Sequence, residues 1–91
     1  MATNYLKAVF WDYPHLCDPK NIEKTLNEAR LRNDDTTVYW IMNRFLERGR
    51  FRDTTLFFRP NEIRENLKFL KISSRARKRW ERLLEVYGDT G

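Results

Sequence analysis

Arg75, Lys78, Arg79 and Arg82 recur at a spacing that gathers side chains on one stripe of a helix. Four cations on one stripe are suited to a polyanion, and such binding weakens steeply with salt. A second basic group, Arg48, Arg50 and Arg52, follows a few residues after an apolar run. Twelve of the 18 basic residues are arginine, whose planar fork grips phosphate or carboxylate oxygens two at a time. These seven side chains are therefore candidate nucleic-acid contacts, directed at phosphates rather than at particular bases. The same pattern also suits docking on an acidic protein, and it is what the solvated face of an amphipathic helix looks like.

No other residues assemble into a site. His15 and Cys17 stand two apart next to Asp18, but a nucleophilic pair must converge in space, which neighbours in one turn seldom do. One cysteine excludes an internal disulfide, and with a single histidine it leaves no ligand set for zinc. Asp34-Asp35 reads as a helix start, since carboxylates favour the positive end of a helix dipole. The three glycines form neither phosphate-cradling motif, G-x-x-x-x-G-K-S/T or G-x-G-x-x-G. We expect no catalytic residues, no metal and no cofactor. No apolar run is long enough for a membrane span, and the N-terminus lacks the pattern of a secretory signal, so the expected address is the reducing cytoplasm.

The elements that must hold these residues are legible from period and punctuation. The 91 residues suit one domain, 1–91, whose thirteen aromatics can supply a dense core. Charge is polarised along it. Residues 1–45 carry six basic and six acidic side chains, and residues 46–91 carry twelve and seven, hence the whole net charge of +5.

Leu6 to Trp11 is too short to assign by period, either a helical turn or a strand, with Phe10 and Trp11 docked on the core. Asp18-Pro19 caps a helix over about 19–32 with Ile22, Leu26 and Ala29 in one stripe. Asp35, Thr36 and Thr37 offer caps for the next. There Val38, Ile41, Met42, Phe45 and Leu46 mark the central, core-facing helix, widened by Tyr39 and Trp40. Gly49 suits a left-handed residue that ends it.

Residues 53–58 suggest a short helix from Asp53, although Thr54 to Phe57 also suit a strand. Ile63, Leu67 and Leu70 mark a helix over about 60–70. The last helix, capped by Ser73 or Ser74 and stopped by Gly88, packs Ala76, Trp80, Leu83, Leu84 and Tyr87, with Arg77 placed to pair with Glu81. The fold class is all-α, with four to five helices and one basic face.

Residues 60–84 can be read as helix-turn-helix-like, which would place Ser74, Arg75, Lys78 and Arg79 at DNA. The connection is about three residues longer than that motif's, and the small turn residues are absent.

The chain also resembles a small uncharacterised prokaryotic helical domain. The likeness rests on Val9-Phe10-Trp11-Asp12, Leu16-x-Asp18-Pro19-x-Asn21, Tyr39 to Gly49, and Ile72 to Trp80. Members read L-F-W-D, L-D-P/Y-x-K-N, F-I-I-x-R-V-L-x-x-G and L-S/D-x-K-x-x-x-F-W, and are often encoded beside nucleotidyltransferase-type toxins. The resemblance implies an antitoxin or regulatory role and supplies no catalytic residues. This chain departs from the pattern by about fifteen added residues, Ile22 to Thr36, which suggest an extra helix.

Two functions follow as expectations. One is a non-enzymatic nucleic-acid-binding regulator or antitoxin-like protein, with DNA the foremost ligand. The other is an interaction module whose basic face docks on an acidic protein, such as a toxin enzyme. A protein binder should expose some of Tyr39, Trp40, Phe57, Phe58 and Trp80 as anchors, whereas a nucleic-acid binder should bury them.

Overall fold

The computed structural model describes residues 4–87, and among them there are helices, turns and no strand. The order is α1 (Asn4–Val9), a 3₁₀ turn (Pro14–Cys17), α2 (Pro19–Leu31), α3 (Asp35–Arg48), α4 (Phe51–Thr54), α5 (Pro60–Asn66) and α6 (Ser74–Tyr87). The all-α expectation holds. The helix count exceeds it because the N-terminal segment settles as a helix.

Chain punctuation explains the boundaries. The Asp18 carboxylate accepts the Lys20 N–H at 2.9 Å, and Pro19 opens α2 with its φ already helical. Asn33 closes α2 at φ 55°, a left-handed position that asparagine tolerates. Two backbone bonds complete that cap, from Asp34 N–H to the Ala29 carbonyl (2.7 Å) and from Asn33 N–H to the Arg30 carbonyl (3.2 Å). Asp34, one residue before the three expected candidates, then caps α3. Its carboxylate accepts the Thr37 N–H at 3.2 Å and the Thr37 hydroxyl at 2.5 Å. These bonds hold the Asp34 carboxyl below its usual range, the Thr37 hydroxyl foremost.

Gly49 follows α3 but is not left-handed. Its backbone is extended, at φ −98° and ψ 170°. The reason for glycine is space: a Cβ there would lie 2.8 Å from the Phe45 carbonyl oxygen and 3.3 Å from Thr54 Oγ1. α4 begins at Phe51, two residues ahead of Asp53, and is locked by buried Thr54, whose hydroxyl donates to the Arg50 carbonyl at 2.7 Å. α5 ends at Asn66, short of residue 70, although Leu67 and Leu70 are still buried in the turn that follows. Residues 67–73 separate it from α6, longer than the three to four residues of a helix-turn-helix turn, as the sequence spacing indicates. Ser73 caps α6, its hydroxyl oxygen accepting the Ala76 N–H at 3.1 Å. The expected stop at Gly88 lies outside the described residues.

α3 is the central helix, packing against α1, α2, α4 and α6. Its predicted face, Val38, Ile41, Met42, Phe45 and Leu46, is buried, as are Ile22, Leu26 and Ala29 of α2. One apolar cluster runs from Leu6 to Leu84, and each large side chain wholly buried in it is worth roughly 1.5–3 kcal/mol. Phe10 joins it, but Trp11 does not: it is 64% exposed in the turn after α1. Trp80 is fully buried and Leu83 packs half-buried against the core, but Tyr87, expected on the same apolar face, is 54% exposed at the end of α6.

Candidate nucleic-acid interface

α6 is held by the C-terminal end of α3. The last carbonyls of a helix have no partner within it, and the Leu46 carbonyl takes two from α6. Arg79 Nη2 and Trp80 Nε1 each donate to it at 2.8 Å. The next residue, Glu47, accepts the Ser73 N–H at 2.8 Å, tying the first turn of α6 to the same helix end. That bond is the main reason the Glu47 carboxyl sits below its usual range. Partial burial opposes it, while the Ser73 hydroxyl and the charges of Arg48 and Arg79 assist.

The predicted stripe is thereby divided. Arg79 stands at the edge of the apolar face, and its guanidinium completes the end of α3, where a cation also favours the helix dipole. Arg75, Lys78 and Arg82 are exposed, and among the described residues no carboxylate pairs with them. Arg77 does not pair with Glu81. It turns instead to the Leu67 and Leu70 carbonyls, satisfying the turn after α5.

The second basic group surrounds a groove. Arg48 and Arg50 line a concavity of about 370 Å³ together with Tyr5, Ala8, Gly49 and Asp53. Arg50 and Arg52 line an adjoining one of about 850 Å³, whose α6 wall is Leu83 and Tyr87. Tyr5, Arg50 and Asp53 belong to both. Burial first, and the Asp53 charge second, push the Tyr5 phenol up from its ordinary range, so it stays a neutral hydroxyl at pH 7. Phe51, half-buried between Arg50 and Arg52, closes α4 onto α6 through ring contacts with Trp80 (5.7 Å between centroids) and Tyr87 (5.4 Å).

All seven predicted residues thus lie on α6, at the last residue of α3 (Arg48) or on the segment that follows it. The structure joins the two groups through the Leu46 carbonyl and the Phe51 ring. Sequence reasoning missed Phe51 and Tyr87 as groove residues, though Arg50-Phe51-Arg52 places an aromatic between two cations.

A further arginine was also missed. Arg44 on α3 donates from Nε (3.0 Å) and Nη2 (2.8 Å) to the Val9 carbonyl at the end of α1, and pairs with Asp12. Its guanidinium lies 5.3–5.5 Å from the ring centres of Phe10, Tyr13 and Trp40. It fastens the N-terminal helix to the core.

The remaining sequence candidates hold structure. The Cys17 thiol, half-buried, faces the Phe10 carbonyl at 3.3 Å, and the His15 carbonyl accepts Asn21 Nδ2 at 2.7 Å. Among the described residues no three histidine, cysteine or acidic side chains are grouped to hold a metal, and no helix is long and apolar enough to cross a membrane. Of the five diagnostic aromatics, Phe58 and Trp80 are buried and Tyr39 and Phe57 half-buried, while Trp40 is 36% exposed. Comparison of the chain with protein-family models, curated proteins and solved structures finds no match.

Proposed function

We propose that this protein is a non-enzymatic, nucleic-acid-binding regulator or antitoxin-like component of the cytoplasm. The observation that carries the reading is Arg48, Arg50 and Arg52 lining two adjoining concavities, together with an α6 on which Arg75, Lys78 and Arg82 are exposed. Six arginine and lysine side chains on adjoining surfaces suit successive phosphates, whose bound counterions are released on contact. The resemblance to the toxin-neighbouring domain family supports a regulatory role.

Anisotropy of labelled duplex and single-stranded oligonucleotides, at about 50 and 200 mM salt, tests the proposal. Binding should weaken by at least tenfold across that range, because several phosphate contacts are lost to screening. The variant carrying Arg75→Ala, Lys78→Ala and Arg82→Ala should bind more weakly and with a shallower salt slope. Absence of binding to either nucleic acid at the lower salt would overturn the reading.

A second reading, docking on an acidic protein, is favoured by one observation. Trp11, Tyr13 and Trp40 all reach the surface near the end of α1, and Tyr13 packs edge-on against Trp40 at 5.1 Å. Exposed tryptophan and tyrosine are characteristic interface anchors. Trp11→Ala with Trp40→Ala would abolish capture of such a partner without altering the salt slope for nucleic acid.

A further inference from the structure

Three rings run from the core to the surface between α4 and α6. Trp80 is wholly buried, Phe51 half-buried and Tyr87 54% exposed. Phe51 lies 5.7 Å from Trp80 and 5.4 Å from Tyr87, with interplanar angles of 33° and 39°. Trp80 is itself fixed by its bond to the Leu46 carbonyl, so each ring is oriented by the one beneath it. Tyr87 therefore offers an aromatic surface whose orientation is set before any ligand arrives, which reduces the ordering cost of binding.

That ring forms part of the groove lined by Arg50 and Arg52. Asp53 is the one acidic residue among the described groove residues, so two cations oppose one anion there. The combination of an exposed ring, an apolar floor at Leu83 and guanidinium groups at the rim matches an unpaired nucleotide. Its base has a π-face for the ring and its flanking phosphates have charge for the arginines. A duplex keeps its base faces inside its own stack and could use only the arginines. The side chains of a polyaspartate or polyglutamate segment likewise offer carboxylates for the arginines and no ring for Tyr87.

We infer that the α4–α6 groove binds unpaired bases of a single-stranded nucleic acid, with one base stacked on Tyr87 and adjacent phosphates held by Arg50 and Arg52. This rests on the nucleic-acid reading above and specifies which form of nucleic acid the groove selects.

The test compares labelled twelve-nucleotide oligo(dT), oligo(rU) and a duplex of equal length against the full chain and three variants. Tyr87→Leu keeps apolar packing on Phe51 but removes the π-face, Tyr87→Phe keeps the ring, and the third pairs Arg50→Ala with Arg52→Ala. Thermal unfolding by circular dichroism identifies which variants are folded at the assay temperature. Single strands should bind at least tenfold more tightly than the duplex. Tyr87→Leu should lose about tenfold for single strands, within the usual range for one stacked base, and leave the duplex unchanged. Tyr87→Phe should retain wild-type affinity, and the arginine pair should weaken single-strand binding and reduce its salt slope. The ratio of oligo(rU) to oligo(dT) affinity identifies the natural strand.

Equal binding of duplex and single strand, with Tyr87→Leu indistinguishable from wild type, would overturn the stacking inference and leave the phosphate-binding reading standing. Displacement of bound oligonucleotide by polyglutamate, with no effect of Tyr87→Leu, would assign the groove to an acidic peptide instead. Failure to bind either nucleic acid would overturn both proposals. Were Tyr87→Leu unfolded, a Tyr87→Phe variant weakened as far as the arginine pair would overturn the stacking role, since it keeps the ring.

Discussion

The guanidinium of Arg79 on α6 donates to the carbonyl oxygen of Leu46 on α3 at 2.8 Å, so one member of the basic stripe is committed to holding two helices together. Its neighbours Arg75, Lys78 and Arg82 have no such duty. Stability and binding should accordingly separate along one helix. Arg79→Ala should cost roughly 1 kcal/mol, a figure kept low because the side chain is largely exposed and Trp80 still occupies the same carbonyl. In a domain this size that lowers the Tm by roughly 4–8 °C. The triple alanine variant at 75, 78 and 82 should stay within about 0.5 kcal/mol of wild type, as surface changes usually do. A larger loss in the triple variant than in Arg79→Ala, read by thermal unfolding, would contradict this division.

Gly49 gives a prediction of a different kind, because its role is spatial and not conformational. A methyl group there meets the Phe45 carbonyl at 2.8 Å, and backbone atoms at a helix end yield poorly. Gly49→Ala should therefore destabilise by about 1–3 kcal/mol, the usual range for overpacking. At an extended φ near −98° the alanine itself adopts the backbone without strain. A variant as stable as wild type in urea would mean that the last turn of α3 can shift away from the methyl group at no cost.

The contrast between Gly49 and Asn33 shows which parts of the fold were legible. The stripes of α2 and α3 were readable because burial on one face of a helix imposes its period on the sequence. The caps at Asp18 and Ser73 were readable for a similar reason: a cap needs a particular side chain at a particular place. Gly49 marked the right boundary for a different reason, since the crowding comes from the Phe45 carbonyl in the last turn of α3 at 2.8 Å and from Thr54 of α4 at 3.3 Å, and neither shows in the sequence. α1 has too few residues to display a period; its conformation is held by distant contacts, the burial of Leu6, Val9 and Phe10 in the core and the bonds of Arg44 to the Val9 carbonyl, 35 residues away in the chain. The candidate site was half legible. Its cations were visible as spacing and charge. The engagement of Arg79 and Arg77 by backbone carbonyls on other segments was hidden, because a helical wheel shows where a side chain points and not what lies there.

Arg44 should be the most sensitive arginine of the chain. Arg44→Ala removes two bonds to the Val9 carbonyl, the Asp12 pair and the cation's contacts with three rings. It leaves a helix-end carbonyl and a carboxylate without their partner. A loss of about 2–4 kcal/mol is expected, combining a charged hydrogen bond of roughly 1.5–3 kcal/mol with a cation–π term of roughly 0.5–1 kcal/mol. Arg44→Lys should restore less than half of it, since an ammonium cannot form the fork and stacks poorly. Chemical denaturation of both variants decides the point: full restoration by lysine would reduce the role of Arg44 to charge alone.

Glu47 connects the joint between α3 and α6 to pH. Its carboxyl sits below the usual range in the folded protein, chiefly because the ionised form accepts the Ser73 N–H. The unfolded chain thus takes up a proton at higher pH than the folded one. The stability contributed by the ionised group is complete above the unfolded value, near pH 4.3, and is lost as pH falls through that value and on through the folded one. Glu47→Gln keeps an oxygen acceptor but no charge and removes this titration. Unfolding free energies of wild type and variant, taken in urea between about pH 7 and pH 3, should differ most at neutral pH and converge toward the acid end. Carboxylates common to both chains cancel in that difference. A gap that stays constant across the range would show that the bond to Ser73 does not distinguish the charged from the neutral acceptor.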